Sequence, residues 1–308
     1  MKIAILGGTS HIAKSLIDNY LRQGKDELSL FVRSRERMEK FLTEIGRSGK
    51  AAAKSFDELD GDKYDLLINC VGIRLSGDVE NHISSIFELT EKYDDLAINY
   101  LIDHPAALYL NFSSGAVFGS AFDRPVDESS QARWDANNIK ETDYYGIAKL
   151  HSEAKHRSLK ALNIIDIRNF GYFSRFIDLE LKYFMSELIS CVKNKQEFIT
   201  DKQNMVRDYI HPDDLFLLVN KCVEKGKLND VFDAYSLKPA AKFEIIEYFV
   251  GRYGLRYKVK ENVNISSITG QKNQYYSTSK KAQKIGYRPH YTTMEAIAQE
   301  AELILQKK

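Results

Sequence analysis

Short apolar runs alternate with stretches of helical periodicity over residues 1–170. Runs of strand length lie at 2–6, 28–32, 65–71, 107–112 and 163–167. Between them, apolar residues recur three and four positions apart, as on one face of an amphipathic helix. The clearest stripes are Ile12, Ala13, Leu16, Ile17, Tyr20 and Leu21, and Ile86, Leu89, Tyr93, Leu96 and Tyr100. This alternation predicts an α/β fold, a doubly wound parallel sheet with helices on both faces.

The pattern changes after Phe170, where helix-rich segments with isolated short strands follow. No Gly-, Pro- or Ser-rich linker marks the change. We expect a sheet domain at residues 1–170 and a smaller α/β lobe mainly at residues 171–308, with some of its strands or helices returning to the sheet. Long helices expected at about 83–103 and 143–161 carry more apolar length than one face of a sheet needs.

Composition limits the classes of partner. The chain of 308 residues has 44 Lys and Arg against 43 Asp and Glu, a net charge of +1. This balance gives no electrostatic reason to expect binding to nucleic acid or to an anionic membrane. The first residues form a strand run rather than a signal peptide, and no apolar stretch approaches the length of a membrane span. We expect a cytoplasmic protein.

The cysteines and histidines predict neither disulfides nor a metal site. Cys70, Cys191 and Cys222 are odd in number and widely spaced, which suits reduced thiols. His151 and His156 lie five residues apart, so they do not share a helix face as two metal ligands should. The chain contains no HExxH motif and no Cys/His cluster, so we expect no bound metal.

A glycine turn follows the first strand run. Gly7 permits a tight strand-to-helix turn, and the small Ala13 lets the helix pack closely on the strand. The N–H groups at the start of that helix would bind a pyrophosphate, which predicts a dinucleotide-binding domain at residues 1–170. Ser10 either donates its hydroxyl to the phosphate or only caps the helix. The residues expected to contact the cofactor here are Gly7, Thr9, Ser10, His11 and Ile12.

Ser114, Tyr145 and Lys149 are the candidate catalytic residues. Tyrosine has a reference pKa of about 10 and is a poor acid or base at neutral pH. Lys149 lies one helical turn after Tyr145 on the same face, and we expect its positive charge to favour the phenolate. The Ser114 hydroxyl, at a strand end, would bind the same substrate oxygen. Together they could move a proton on or off a carbinol while a cofactor moves the hydride; Tyr144 is a competing candidate.

Four motifs carry a resemblance to a known family. Residues 7–13 are similar to its GxxGxxG turn, 113–119 to its SSxxVYG strand end, 207–214 to its RDYIHVxD motif, and 275–289 to its terminal YxDxSKA…LGWxP pattern. The chain resembles, over nearly its whole length, an extended short-chain dehydrogenase/reductase of the NAD-dependent epimerase/dehydratase family. Most members act on nucleoside-diphosphate sugars. The resemblance implies a Rossmann-like sheet, a nucleoside-diphosphate sugar substrate, and a homodimer in which two long helices of each subunit form a four-helix bundle.

The resemblance also assigns single residues. Asn69 would lie beside the cofactor ribose, although a structural role in a strand with a glycine exit is an equal alternative. Arg207 and Tyr209 would hold the diphosphate of the substrate, and Lys272 is assigned to the substrate site with them. The alternative for Arg207 is a local surface ion pair with Asp208, which would contribute little.

Cofactor choice depends on the end of the second strand. An NAD site would present a carboxylate there to the ribose 2′-hydroxyl, but this chain has Arg33, Ser34 and Arg35. Two guanidinium groups and a hydroxyl suit a 2′-phosphate, so we expect NADP(H), with NAD as the alternative. A solvated basic helix start is the structural explanation. Tyr145 and Lys149 would contact the cofactor at its nicotinamide end.

Departures from the family narrow the reaction. Its 4,6-dehydratases carry an Asp-Glu pair where this chain has Gly115 and Ala116, and its fucose-forming epimerase/reductases carry a cysteine at Ala116. Neither residue here can do acid/base work, which leaves carbinol/ketone chemistry at one carbon. The preferred hypothesis is a 4-keto-sugar reductase that consumes NADPH, and the alternative is a 4-epimerase with bound NAD(P). A catalytically idle NADP-binding regulatory protein is a third and weaker alternative.

Overall fold

The computed structural model describes residues 1–72, 85–181, 183–261 and 272–306. Its strands are β1 (Lys2–Leu6), β2 (Glu27–Phe31), β3 (Ala52–Lys54), β4 (Leu66–Asn69), β5 (Leu108–Ser114), β6 (Ile164–Asn169), β7 (Glu197–Thr200), β8 (Val206–Arg207), β9 (Asp230–Asp233), β10 (Ala240–Ala241), β11 (Arg256–Val259) and β12 (Gln274–Tyr275). Its α-helices are α1 (His11–Gln23), α2 (Arg35–Glu44), α3 (Ile86–Asp103), α4 (Glu141–Ser158), α5 (Phe184–Asn194), α6 (Pro212–Lys225), α7 (Lys242–Tyr253) and α8 (Thr293–Leu305).

A parallel sheet of seven strands, in the order β3-β2-β1-β4-β5-β6-β9, runs through the described residues. β1 pairs with β2 on one side and β4 on the other, so that Ile3 lies opposite both Leu28 and Leu66. The strand order therefore reverses at β1, and the carboxyl ends of β1 and β4 border the crevice where doubly wound sheets bind ligands. The predicted α/β fold with a doubly wound parallel sheet is confirmed.

Helices cover both faces of the sheet, which is why its central strands are largely apolar. On one face, α1, α2 and α6 contribute buried residues such as Leu16, Met38 and Leu215. On the other face, α3 buries Ala97 and Leu101 against β1, β4 and β5. The apolar stripes in the sequence therefore correspond to the helix faces that pack on the sheet. Within the described residues, no helix combines the length and the apolarity needed to cross a membrane.

The ends of some elements differ from the apolar runs. β5 continues beyond residue 112 because Ser113 and Ser114 pair with Arg168 and Asn169 of β6. Backbone pairing does not require an apolar side chain, so the polar ends of both strands escaped a pattern based on hydrophobicity. The long helix expected from about residue 83 begins at Ile86 in the structure, and residues 83–84 lie outside the described residues.

Residues after 170 contribute to the central sheet and also form a second layer of structure. β9 joins the sheet edge beside β6, and α6 packs against α1. The remaining strands form a three-stranded sheet, β10-β8-β12, and a two-stranded sheet, β11-β7. A separate core of α5, α7 and α8 buries Leu188, Ile245 and Ile297. The assignment of residues 171–308 mainly to substrate binding stays a prediction.

Candidate active site

The turn after β1 lies in close contact with the neighbouring strand ends. Gly7 has a φ of +75°, and a Cβ at this position would lie 2.9 Å from the backbone nitrogen of Val71. Both the conformation and the lack of space require glycine. The Gly7 N–H also donates to the Phe31 carbonyl at 2.9 Å. The exits of β1, β2 and β4 therefore meet at the crevice where the sequence predicts the cofactor.

Helix α1 begins with a capped first turn at this crevice. The Ser10 hydroxyl accepts from the Ala13 N–H at 3.3 Å, so the capping role is the one that this structure contains. His11 Nε2 bonds the Ser174 hydroxyl at 2.7 Å, and burial lowers the pKa of His11 to about 4. The imidazole is therefore neutral and links α1 to the segment after β6. His11 and Ile12 belong to the first turn, whose N–H groups have no acceptor within the helix, whereas Thr9 is exposed.

The three residues at the end of β2 have different surroundings. Arg33 is exposed. Ser34 caps α2 by accepting from the Arg37 N–H at 3.3 Å. Arg35 forms an ion pair with Glu58, so part of its charge is already balanced. Arg33 is therefore the guanidinium most available to a ribose phosphate.

Ser114, Tyr145 and Lys149 come from the end of β5 and the first half of α4. Ser114 and Lys149 are buried, and Tyr145 is partly exposed. Lys149 Nζ donates to the Phe112 carbonyl at 2.9 Å, which ties the helix to β5. Tyr144, the competing candidate, instead packs its ring 5.9 Å from an aromatic ring of α3. The structure therefore brings Ser114, Tyr145 and Lys149 together and directs Tyr144 elsewhere.

Burial shifts the pKa values of Tyr145 and Lys149 in opposite directions. Burial raises the pKa of Tyr145, and the Ser114 hydroxyl opposes this rise only in part. Burial lowers the pKa of Lys149, although the carboxylates of Asp94 and Asp166 oppose this change. The expectation that the charge of Lys149 favours the phenolate of Tyr145 stays a prediction, because the raised pKa of Tyr145 reflects burial and the Ser114 hydrogen bond. Tyr145 is therefore protonated at neutral pH.

Tyr275 connects Ser114 with the candidate substrate residues. Its hydroxyl lies 3.0 Å from Ser114 Oγ. Lys272 Nζ lies 4.1 Å from the centre of the Tyr275 ring, and the Arg207 guanidinium lies 5.9 Å from it. Burial, and secondarily the charge of Arg207, lowers the pKa of Lys272 to about 7. Two basic side chains, Arg207 and Lys272, therefore lie near the end of β5. The hydroxyl groups of Ser114, Tyr145 and Tyr275 lie there with them.

The RDYIH segment has mainly structural contacts around Arg207. Asp208 does not pair with Arg207, but accepts from the Ser236 N–H at 3.0 Å and the Thr293 hydroxyl at 3.1 Å. Tyr209 packs against the separate core of α5, α7 and α8, and burial raises its pKa to about 12. Among the described residues, the surface ion pair between Arg207 and Asp208 is therefore absent. The Arg207 guanidinium instead lies near the ring of Tyr275.

A buried polar network lies beneath the site. His156 is fully buried, with Nε2 2.7 Å from Asp94 Oδ1 and Nδ1 2.9 Å from Asp166 Oδ1. Asp94 Oδ1 also accepts from the Tyr109 hydroxyl at 2.9 Å, and that hydroxyl accepts from Asn69 Nδ2 at 2.9 Å. Asn69, expected beside the cofactor, therefore has its side chain in this network. In the part of the chain that the structure describes, no group of three His, Cys, Asp or Glu side chains is arranged to hold a metal ion.

Comparison with protein families identifies the group to which this architecture belongs. A model of the NAD dependent epimerase/dehydratase family matches residues 3–237, which is most of the chain. The chain belongs to this family. A search of curated proteins finds no significant match.

Solved structures share the fold over essentially the whole chain. A UDP-glucuronic acid 4-epimerase from Bacillus cereus, in complex with UDP-glucuronic acid and NAD, has 15% identity and a TM-score of 0.78, with 100% of both chains covered. A UDP-glucose 4-epimerase from Bifidobacterium longum with NAD+ and UDP has 17% identity and a TM-score of 0.78, covering 100% of this chain and 99% of that one. A UDP-glucose-4-epimerase from Stenotrophomonas maltophila with NAD and formylated UDP-arabinopyranose has 14% identity and a TM-score of 0.81, covering 99% and 98%. At these identities the likeness shows the fold.

Within the family fold, the positions after Ser114 are closed to acid/base side chains. A Cβ at Gly115 would collide with the ring of Phe170, and Ala116 is buried. Phe170 and Tyr275 pack with ring centres 5.2 Å apart. Aromatic rings therefore occupy the space beside Ser114 where a longer side chain at 115 would need to lie.

Two parts of this arrangement were missed by sequence reasoning. Tyr275 stands inside the terminal YxDxSKA-like motif, so its position carried a signal, but nothing indicated contact with Ser114. The Asp94–His156–Asp166 cluster gave no signal, because its members lie on three elements whose packing only the fold defines.

Proposed function

We propose that this protein is an NAD(P)(H)-dependent oxidoreductase that interconverts a carbinol and a ketone at one carbon of a nucleoside-diphosphate sugar, in the direction of 4-keto reduction with NADPH. The observation that carries the proposal is a protonated Tyr145 beside the buried side chains of Ser114 and Lys149. Gly115 and Ala116 offer no acid or base for elimination of water. Family membership supports the class of reaction.

The cofactor supplies the hydride in this chemistry. The first turn of α1 and Gly7 would receive its pyrophosphate, and Lys149 would hold the nicotinamide ribose. Tyr145 gives its phenolic proton to the alkoxide oxygen that forms on the sugar, and Ser114 donates a hydrogen bond to the same oxygen. Since the pKa of Tyr145 is raised, the residue holds the proton that it would donate at neutral pH.

The first test is Tyr145→Phe, which removes the proton donor while the ring remains. Turnover should fall about 100- to 10,000-fold, whereas NADPH affinity and folding should be kept. Tyr144→Phe is the matched control and should keep full turnover, because Tyr144 faces α3. The substrates are nucleotide-linked 4-keto-6-deoxy sugars with NADPH. Full activity of Tyr145→Phe would show that the mechanism is wrong, and inactivity of the wild type on every substrate would support the idle regulatory alternative.

A preference for NADP(H) rests on Arg33, which is exposed directly after β2 in a run, residues 32–35, that has no acidic residue. NADPH should bind more tightly than NADH. Arg33→Ala should lower the affinity for NADPH and hardly change the affinity for NADH. Arg37→Ala, another exposed arginine of the same region, should change neither. Equal affinities of the wild type for both cofactors in titration calorimetry would count against this choice. The Bacillus and Bifidobacterium structures contain NAD, which is why NAD stays the alternative.

The diphosphate of the substrate is assigned to Arg207 and Lys272, the two cations beside Tyr275. Both are largely withdrawn from water, and burial lowers the pKa of each, so a bound anion would stabilise their charged forms. Tyr209 is placed with them only through the family motif. UDP should therefore bind, and Arg207→Ala should weaken it.

A 4-epimerase is the second candidate, favoured by one observation: the three relatives described above are named as 4-epimerases and share the fold. Such an enzyme would oxidise the carbinol, let the ketone rotate and reduce it again on the other face. Incubation with UDP-glucose, UDP-galactose or UDP-glucuronic acid separates the candidates. Epimer formation without net cofactor change selects the epimerase, and net NADPH oxidation by 4-keto sugars selects the reductase.

A homodimer is the proposed assembly. Helices α3 and α4 pack side by side, and their outer surface has a groove of about 340 Å³ lined in part by Phe87, Ile147 and His151. Phe87 and Ile102 of α3 are 39% and 59% exposed, so this helix presents apolar side chains to solvent. Pairing with the same face of a second copy would cover them. Light scattering at micromolar concentration should give twice the monomer mass.

A further inference from the structure

The hydrogen bonds of the buried network have a defined direction. Each ring nitrogen of His156 meets a carboxylate oxygen, of Asp94 at 2.7 Å and of Asp166 at 2.9 Å. An ionised carboxylate only accepts hydrogen bonds. Both nitrogens therefore donate, and the His156 ring is an imidazolium. Lys155 Nζ also pairs with Asp94, at 2.7 Å, so two cations keep Asp94 ionised.

The ionised state of Asp94 sets the direction of the hydrogen bonds that connect it, through Tyr109, to Asn69. The Tyr109 hydroxyl donates its hydrogen bond to Asp94 Oδ1 at 2.9 Å, so its oxygen can only accept from other groups. Asn69 must therefore present its NH₂ group to Tyr109, at 2.9 Å. The Asn69 carbonyl oxygen then faces the opposite way, and it accepts from the Val71 N–H at 3.0 Å. The Asn69 amide is therefore held from both ends, by the Tyr109 hydroxyl and by the Val71 N–H.

Two sides of the crevice depend on this network. On one side, the Val71 nitrogen that Asn69 holds is the atom nearest to Gly7, at 2.9 Å from the position of a Cβ there. On the other side, His156 lies seven residues after Lys149 on α4, which is two helical turns and the same face. We propose that His156, Asp94 and Tyr109 are positioning residues that set the spacing between the β4 exit and α4, and so the width of the cofactor crevice. The proposal rests on the proposed function, since it requires NADH or NADPH to bind there.

Tyr109→Phe tests the proposal, because it removes one hydroxyl from the network and keeps the ring. The variant should bind the preferred cofactor about two- to tenfold more weakly, the loss expected from one buried hydrogen bond. UDP affinity should stay unchanged. Tyr100→Phe is the matched control: its hydroxyl is also buried and accepts from the Tyr64 N–H at 2.6 Å, but it has no contact with Asn69. Cofactor binding can be followed through Trp134, the single tryptophan of the sequence.

A double-mutant cycle separates positioning from a general loss of stability. Asn69→Ala should lower the affinity for the cofactor to a similar extent. In that background, Tyr109→Phe should cause no further loss of affinity. Wild-type affinity of Tyr109→Phe, or full additivity in the double mutant, overturns the proposal while leaving the proposed function intact. Binding of neither NADH nor NADPH to the wild type overturns both.

A measurement on the wild type covers the case in which Tyr109→Phe does not fold. Nitrogen-15 spectra of labelled histidine should show both ring nitrogens of His156 protonated at neutral pH, with the resonance assigned by its loss in His156→Gln. A neutral ring would have only one nitrogen able to donate, so one of its two hydrogen bonds to Asp94 and Asp166 would lack a donor, and the proposal would be wrong.

Discussion

Alkaline pH should destabilise this protein through His156. Burial alone would lower the pKa of His156, but hydrogen bonds with Asp166 and Asp94 raise it to about 9 from an ordinary value of 6.5. Lys155 and Arg157 also contact these carboxylates, so the ring lies in a network of mixed charge. A difference of about 2.5 pKa units corresponds to about 3 kcal/mol of folding free energy.

The direction of the effect follows from the raised pKa. Below about pH 6.5 the ring is protonated in both the folded and the unfolded chain, and the whole contribution is present. As the pH rises from 6.5 to about 9, His156 loses its proton in the unfolded chain but keeps it in the folded protein. Folding then requires uptake of a proton, and the free energy of unfolding falls as the pH rises. The contribution is lost once the folded protein also releases the proton.

The assay is urea unfolding of the wild type and His156→Gln across this range, followed by Trp134 fluorescence. The difference between the two proteins is the quantity to measure, because Lys272, with its pKa lowered to about 7, changes stability with pH in the opposite sense. This difference should shrink by about 3 kcal/mol between pH 6.5 and pH 9.5. His151→Gln, an exposed histidine of the same helix, should follow the wild type. A difference that does not change with pH would refute the reasoning.

Three further outcomes are expected. Gly115→Ala should lower the free energy of unfolding, measured in urea, by about 1–3 kcal/mol, because the added methyl group would overpack against Phe170. An unchanged free energy of unfolding would show that the Phe170 ring can move aside at little cost. Tyr275→Phe should lower turnover about two- to tenfold, with no further loss in a Ser114→Ala background, since the two hydroxyls act together; additive losses would separate them. Phe87→Asp should give the monomer mass in light scattering, and an unchanged dimer would place the interface elsewhere.

Local patterns were sufficient for much of the fold. The alternation of strand runs and helical stripes predicted the parallel sheet, because each stripe depends on residues three or four positions apart. The proximity of Tyr145 and Lys149 was also predictable, since one helical turn fixes it. The polar ends of β5 and β6 were missed, because Ser113 and Ser114 continue the strand through backbone pairing alone.

Contacts between distant residues could not be predicted in this way. The Ser114–Tyr275 hydrogen bond joins residues 161 positions apart, and the His156–Asp94 bond joins residues 62 positions apart. The sequence around a buried aspartate or histidine does not indicate which distant residue it contacts. The charges of such groups balance only after the elements that carry them have packed.

Burial is also the main influence on the catalytic candidates. It lowers the pKa of Lys149, and the carboxylates of Asp94 and Asp166 oppose this change. It raises the pKa of Tyr145, and the Ser114 hydroxyl opposes that rise. Both shifts have one physical cause, since an apolar interior disfavours the charged form of either side chain. Tyr145 therefore holds its proton at neutral pH, as the proposed role of proton donor requires.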